Sequence, residues 1–180
     1  MNFVAVEYHG VTPIGPEMFP CVLLRWAQRD RVLPLWVAAT AADELDIRDN
    51  GMPPRRPNAY DLLAESYAGR GGVTEIRIVS HHQGVFYANI MLDGGEEVDA
   101  RASDAIVLAR IIGAPIVVAE DVLTEASLFV APADLASYFD VVIDSPAVGE
   151  QVPGDEQADA DFEELMRSLG VSEDDLRGES

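Results

Sequence analysis

The sequence predicts an α+β fold: a compact single domain with a largely antiparallel or mixed β-sheet and two to four helices, plus an acidic C-terminal tail. Three observations point there. Apolar runs with strand-like alternation come in groups, over residues 3–37 and again over 73–100. Between and after those groups lie alanine-rich or apolar stretches that carry helix-start signals, and beyond Val141-Val142-Ile143 the composition changes abruptly. With 180 residues, 48% of them apolar, the chain can fill the core of one ordinary domain.

Phe3 to Val11 alternates loosely and predicts one strand. Pro20 to Trp26 and Val32 to Val37 are two more apolar runs around the polar Ala27-Gln28-Arg29-Asp30-Arg31, which predicts a hairpin. Residues 38–49 are rich in alanine and acids with no breaker, so they predict a helix stopped by Asn50-Gly51. A loop of proline and arginine follows, Met52-Pro53-Pro54-Arg55-Arg56-Pro57. Asn58 then predicts an N-cap for a helix over Ala59 to Ala68, with Asp61 in the capping-box position. Val73 to Ser80 and Gly84 to Leu92 predict strands that leave His81-His82 in an exposed turn, and Asp93-Gly94-Gly95 turns the chain into Glu97 to Ala100. Residues 103–112 predict a buried helix capped by Ser103, with Asp104 favourable against its dipole. Pro115 to Ala119 reads as a short strand, and residues near 120–127 and 132–139 as short helices.

Acids outnumber bases 32 to 12, and every base is an arginine, for a formal net charge of -20. Residues 1–143 hold 20 acids and 10 arginines, whereas 144–180 hold 12 acids and 2 arginines, so half of the net charge sits in the tail. The expected division is therefore a domain over 1–143 and an acidic linker with a short helix over 144–180. Phe162, Leu165, Met166 and Leu169 recur at helical spacing within that tail, as a stripe able to dock on its own core or on a partner. Tight nonspecific nucleic-acid binding is disfavoured, because the chain lacks a diffuse positive field. Cys21 is the only cysteine and lies among apolar neighbours, which excludes intrachain disulfides and cysteine-based zinc sites and predicts a small buried residue. The opening MNFVAVEYHG lacks a basic stretch followed by an apolar one, and no apolar run reaches the roughly 20 residues of a membrane helix. The expectation is a cytoplasmic protein without a membrane partner.

Two stretches have chemistry to offer. Arg55 and Arg56 precede a helix N-terminus, where guanidinium groups and backbone N–H donors can grip a phosphate; the same residues also read as a solvated loop beside an ordinary cap. Asp99, Arg101, Ser103 and Asp104 stand where a strand meets a helix, a place where carboxylates can share a Mg²⁺ and arginine and serine can hold an anion. Capping plus an Asp99–Arg101 surface pair is the alternative there. Phosphate-loop, dinucleotide, serine-hydrolase and zinc-protease signatures are absent.

Taken in order, Val22-Leu23-Leu24-Arg25, Leu33-Pro34-Leu35-Trp36-Val37, Arg56-Pro57 through Asp61-Leu62-Leu63, Gly84-Val85-Phe86-Tyr87-Ala88, Val98 through Ile106 and Pro115-Ile116-Val117-Val118 resemble the bifunctional nuclease domain family. The resemblance covers roughly residues 3–130. It implies a compact α+β domain, often a homodimer, with nuclease activity on DNA and RNA. Of the family-pattern residues, Arg56, Asp61, Asp99, Arg101, Ser103 and Asp104 are kept; the site expected from these and the two stretches above has Asp61, Asp99 and Asp104 as catalytic residues holding Mg²⁺ or Mn²⁺, with Arg55, Arg56, Arg101 and Ser103 on the phosphate. The chain departs from the family pattern where that pattern has Thr-His before Asp-Leu-Leu: here Ala59 and Tyr60 stand instead. Ala41, Ala38 and Ala102 replace a glutamate, a glycine and a proline. Loss of the imidazole removes the side chain best suited to proton transfer near pH 7, so the expectation is weak metal-assisted phosphodiester hydrolysis. The alternative is a catalytically silent dimeric regulatory or interaction module of the same fold.

Overall fold

Along the chain, the computed structural model, which describes residues 2–130, contains β1 (Phe3–Ala5), β2 (Glu7–Ile14), β3 (Phe19–Trp26), β4 (Arg31–Trp36), α1 (Ala39–Asp49), α2 (Ala59–Ala68), β5 (Val73–His82), β6 (Val85–Leu92), β7 (Glu97–Arg101), α3 (Ala102–Ile112), β8 (Ile116–Ala119), α4 (Glu120–Ala126) and β9 (Leu128–Phe129). This is the expected α+β class, but the strands divide into two sheets. One has the order β1-β8-β5-β6-β7 and the other β2-β3-β4-β9. Of the pairings in both, β5 with β8 is parallel and the rest are antiparallel. The expected helix at 132–139 and the acidic tail with its Phe162 stripe lie outside the described residues. Among the described residues, no helix is long and apolar enough to cross a membrane.

The hairpin of β3 and β4 forms around a single 3-10 turn at Ala27–Arg29, as the polar interruption of two apolar runs predicts. Helix α1 ends at Asn50, and Gly51 takes a left-handed φ of 64°. The single strand expected over 3–11 is two strands in different sheets. At the break, the Val6 N–H donates to the Ile116 carbonyl, and no turn residue marks the switch. Within β2 the register against β3 shifts between Tyr8 and Val11, where Gly10 has φ 85°, a bulge that bends the strand. Tyr8 is thereby placed to donate to Asp49 of α1 (2.7 Å), which also accepts from Arg110 of α3 (2.8 Å).

Two further expectations change. His81 and His82 belong to β5, and the hairpin turn is Gln83-Gly84, with φ of 50° and 80°. His81 is half-buried and stacks on Phe86, centroids 4.4 Å apart. Ser103 does not cap α3: the cap position is Arg101, and Ser103 already lies inside the helix.

The main core fills the space between the sheets. Val22, Leu24, Leu33 and Leu35 face it from the four-stranded sheet, and Ile76, Ile78, Ala88 and Ile90 from the five-stranded one, with Leu45 of α1 and Leu123 of α4 completing it. Helix α3 contributes Ala102 and the run Ala105 to Ala109, all buried, so it is enclosed on nearly every side. Cys21 is fully buried, and burial pushes its thiol up to about 12, as expected of an inert apolar residue. Ile106→Ala removes a fully buried side chain from α3 and should lower unfolding free energy by about 2–5 kcal/mol in urea denaturation with the m-value retained.

Candidate functional site

Helix α2 begins with the predicted capping box. The Asn58 side chain accepts from the backbone N–H groups of Tyr60 (3.0 Å) and Asp61 (3.2 Å), and the Asp61 carboxylate accepts from the Asn58 N–H at 2.9 Å. The other Asp61 oxygen pairs with Arg48 of α1 at 2.9 Å. Asn58 also donates to both oxygens of Glu44, each at 2.8 Å, and Glu44 lies 3.6 Å from Arg48. The start of α2 is thus tied to the last two turns of α1. Arg48 and the backbone of Asn58 hold the Asp61 carboxyl below its ordinary value, Arg48 having the larger effect. Sequence reading missed Arg48 and Glu44. Their i,i+4 spacing was visible, but nothing local named Asp61 and Asn58 as their targets.

A second cluster forms where α2 meets the junction of β7 and α3. Tyr60 donates from its hydroxyl to Asp104 Oδ1 at 2.7 Å, and Arg101 donates from Nε to Oδ2 at 2.7 Å. Burial, then the bond to Asp104, pushes the Tyr60 phenol up to about 12, so it keeps its proton at neutral pH and acts as a hydrogen-bond donor. Arg101 is mostly exposed and stands directly across from Tyr87 of β6, itself 45% exposed. Tyr87 was not singled out from sequence, because strand alternation alone does not say which face of a sheet stays open.

The other expected residues are dispersed. Arg55 and Arg56 are exposed in the loop before α2 and make no hydrogen bond or ion pair to another described residue. The α2 backbone donors at Tyr60 and Asp61, expected to help hold an anion, are occupied by Asn58. The start of α3 has no side-chain cap, so of the two helix starts considered for an anion it is the one with donors left open. Ser103 lies half-buried in the first turn of α3. Asp99 is exposed on β7, paired in register with Asn89.

Asp61, Asp99 and Asp104 therefore do not gather around one position. Asp61 faces Arg48 and a backbone amide, Asp104 faces Tyr60 and Arg101, and Asp99 stands apart. Among the described residues, no three His, Cys, Asp or Glu side chains are placed to hold an ion together. The expected carboxylate triad does not fit a shared Mg²⁺ or Mn²⁺, because two of its members are already neutralised by arginine.

Comparison with known proteins places this geometry in a family context. A family model described as the bifunctional nuclease domain matches residues 22–131. Two uncharacterized proteins of Mycobacterium tuberculosis, from strains CDC 1551 and H37Rv, are each 37% identical over 126 residues, covering 69% of this chain and 77% of the relative.

Because Asp61 titrates low in the folded state, it stabilises the fold above its ordinary value of 3.8, and the contribution is lost as pH falls through the lower folded value. Asp61→Asn should cost about 1–2 kcal/mol at pH 7, by loss of the charge pairing with Arg48, since the amide oxygen can still accept from the Asn58 N–H. In pH-dependent denaturation the gap between variant and parent should narrow once the pH falls below about 3.8.

Proposed function

Because the chain belongs to the bifunctional nuclease domain family, we propose that it acts on the phosphodiester backbone of DNA or RNA as a weak hydrolase, at the Tyr60–Asp104–Arg101 cluster. The observation that carries this reading is the Tyr60–Asp104 hydrogen bond, because it puts the residue standing in the family's histidine position in contact with a carboxylate. A histidine there would form an oriented imidazole–carboxylate pair able to take a proton from water near pH 7. A phenol held up to about 12 cannot take that role. It can donate a hydrogen bond, as can the free end of Arg101, to charge developing on phosphoryl oxygens. The remaining acceptor is Asp104, both of whose oxygens are already engaged by donors, so the reaction is slow.

In this reading the nucleic-acid strand lies over the exposed face at the β6–β7 edge. Arg101 takes a phosphate and Tyr87 stacks on a base, an arrangement that suits a single strand whose bases are free to splay. Arg55 and Arg56, exposed on the loop ahead of α2 and without an ion-pair partner among the described residues, are further cations available to the backbone. The expected Mg²⁺ or Mn²⁺ enters as a variable of the assay, with no role assigned to a carboxylate triad. Saturation of both Asp61 and Asp104 by internal partners also favours the second reading, a silent regulatory or interaction module. Rate measurements separate the two.

Cleavage of single-stranded DNA and RNA should be followed with Mg²⁺, with Mn²⁺ and with EDTA. Tyr60→His should raise the rate at pH 7 toward the ~10²- to 10⁴-fold typical of a positioned base, and Asp104→Ala should abolish the gain. Equal rates for the parent, Tyr60→His and Asp104→Ala would leave the silent module as the function. Tyr87→Ala should weaken single-strand binding by about 1–3 kcal/mol while Tyr87→Phe retains it, as read by fluorescence anisotropy.

A further inference from the structure

Alternation along β6 and β7 sorts their side chains onto two faces. Ala88, Ile90, Val98 and Ala100 turn toward the main core, so Tyr87, Asn89, Glu97, Asp99 and Arg101 turn outward. The register sets these outward residues in rows, with Tyr87 beside Arg101 and, next along the strands, Asn89 beside Asp99. Diagonal neighbours such as Tyr87 and Asp99 stand about 7–8 Å apart, a span that one aromatic group bridges.

The other charges of these rows are engaged. Glu97 accepts from the Asn89 amide at 2.9 Å and lies 3.9 Å from Arg77 of β5, and Arg101 is turned to Asp104 at 2.7 Å. Asp99 is exposed and makes no hydrogen bond or ion pair to another described residue. Because a carboxylate can only accept, the NH₂ of Asn89 is the atom bound to Glu97, and the Asn89 carbonyl oxygen remains as an acceptor in the row of Asp99. A row of acceptors thus lies next to an exposed aromatic ring and a guanidinium. A free carboxylate there opposes simple affinity, since it repels the phosphates that Arg101 attracts. Its charge suits discrimination between ligands instead.

Resting on the reading above, in which a single strand crosses this face, we propose that Asp99, supported by Asn89, selects guanine as the base laid on Tyr87. The Watson–Crick edge of guanine presents two adjacent donors, N1–H and the N2 amino group, which match the two oxygens of a carboxylate. Adenine and cytosine present one amino group beside a ring nitrogen that is itself an acceptor, and thymine and uracil one N–H between two carbonyl oxygens. Each of those sets a lone pair against Asp99. The edge is free in a single strand and occupied in a duplex, so the same row favours unpaired bases. The plainer role for Asp99, a charge that keeps the β7 edge from pairing with other chains, carries no dependence on the base.

The test is fluorescence anisotropy of the full-length chain at low salt in EDTA, with thymidine pentamers that hold one central guanine, inosine, adenine or cytosine. The guanine pentamer should bind about tenfold tighter than the adenine and cytosine pentamers, with inosine, which lacks the N2 amino group, in between. Asp99→Asn, an isosteric change at an exposed position, should bring all four to within about twofold of one another. Equal affinities in the parent, or a guanine preference that survives Asp99→Asn, would overturn the proposal. If base-independent binding still drops with Tyr87→Ala, the nucleic-acid reading stands and only the role of Asp99 falls. No binding of any pentamer at millimolar concentration would overturn both.

Discussion

Enclosure of helix α3 is the constraint on which the rest of the structure depends. The helix begins at Ala102, immediately after β7 ends at Arg101, so the edge of the five-stranded sheet and the start of the helix move as one unit. Alanines at 102, 105 and 109 let neighbouring elements approach closely, while Ile106 and Leu108 fill the space between the sheets. Asp104, half-buried in the first turn, is consequently held against Tyr60 of α2 and Arg101 of β7. Helix α2 is oriented in turn by the Arg48–Asp61 and Glu44–Asn58 bonds to α1. Two stretches 44 positions apart in sequence thus meet at one carboxylate.

That convergence gives the site its chemical character. Asp61 is a fastening between helices, and its carboxylate is spent on Arg48 and on the cap of α2. Asp104 remains at the surface with a phenol and a guanidinium as donors, an arrangement richer in hydrogen-bond donors for an anion than in bases for a water molecule. Replacing an imidazole by a phenol at such a position keeps the hydrogen bond and loses the proton acceptor. The overall charge of -20 acts in the same direction, since it limits binding to places where arginines are locally unpaired. Among the described residues, the Arg55-Arg56 loop and the outer end of Arg101 are such places.

The parts of the fold legible in the sequence were those set by local rules. The cap of α2 was readable residue by residue, because Asn58 and Asp61 are three apart and satisfy each other's backbone donors. The β3–β4 hairpin, the stop of α1 and the course of β5 to β7 were readable from alternation and turn chemistry. What escaped needed long-range information. Tyr60 and Asp104 are separated by 44 positions, and no pattern links a helix-start tyrosine to a particular acid. The switch between β1 and β2 is made by a backbone bond from Val6 to Ile116, which leaves no side-chain signature. Ser103 carried a sound capping signal, but β7 runs straight into α3, so the cap position fell to Arg101. Asp61 and Asp104 are engaged by Arg48 and Arg101, and the first of these contacts joins two helices that no sequence spacing links.

The central claim is that Tyr60, Asp104, Arg101 and Tyr87 form one surface for a phosphodiester. Its most direct test is a backbone-amide NMR titration of the ¹⁵N-labelled full-length chain with a short single-stranded oligonucleotide at low salt. The account predicts saturable shifts concentrated at residues 101–104, at Tyr60 and at Tyr87, with little change in β3 or β4. Shifts confined to other surfaces, or none at millimolar ligand, would contradict it.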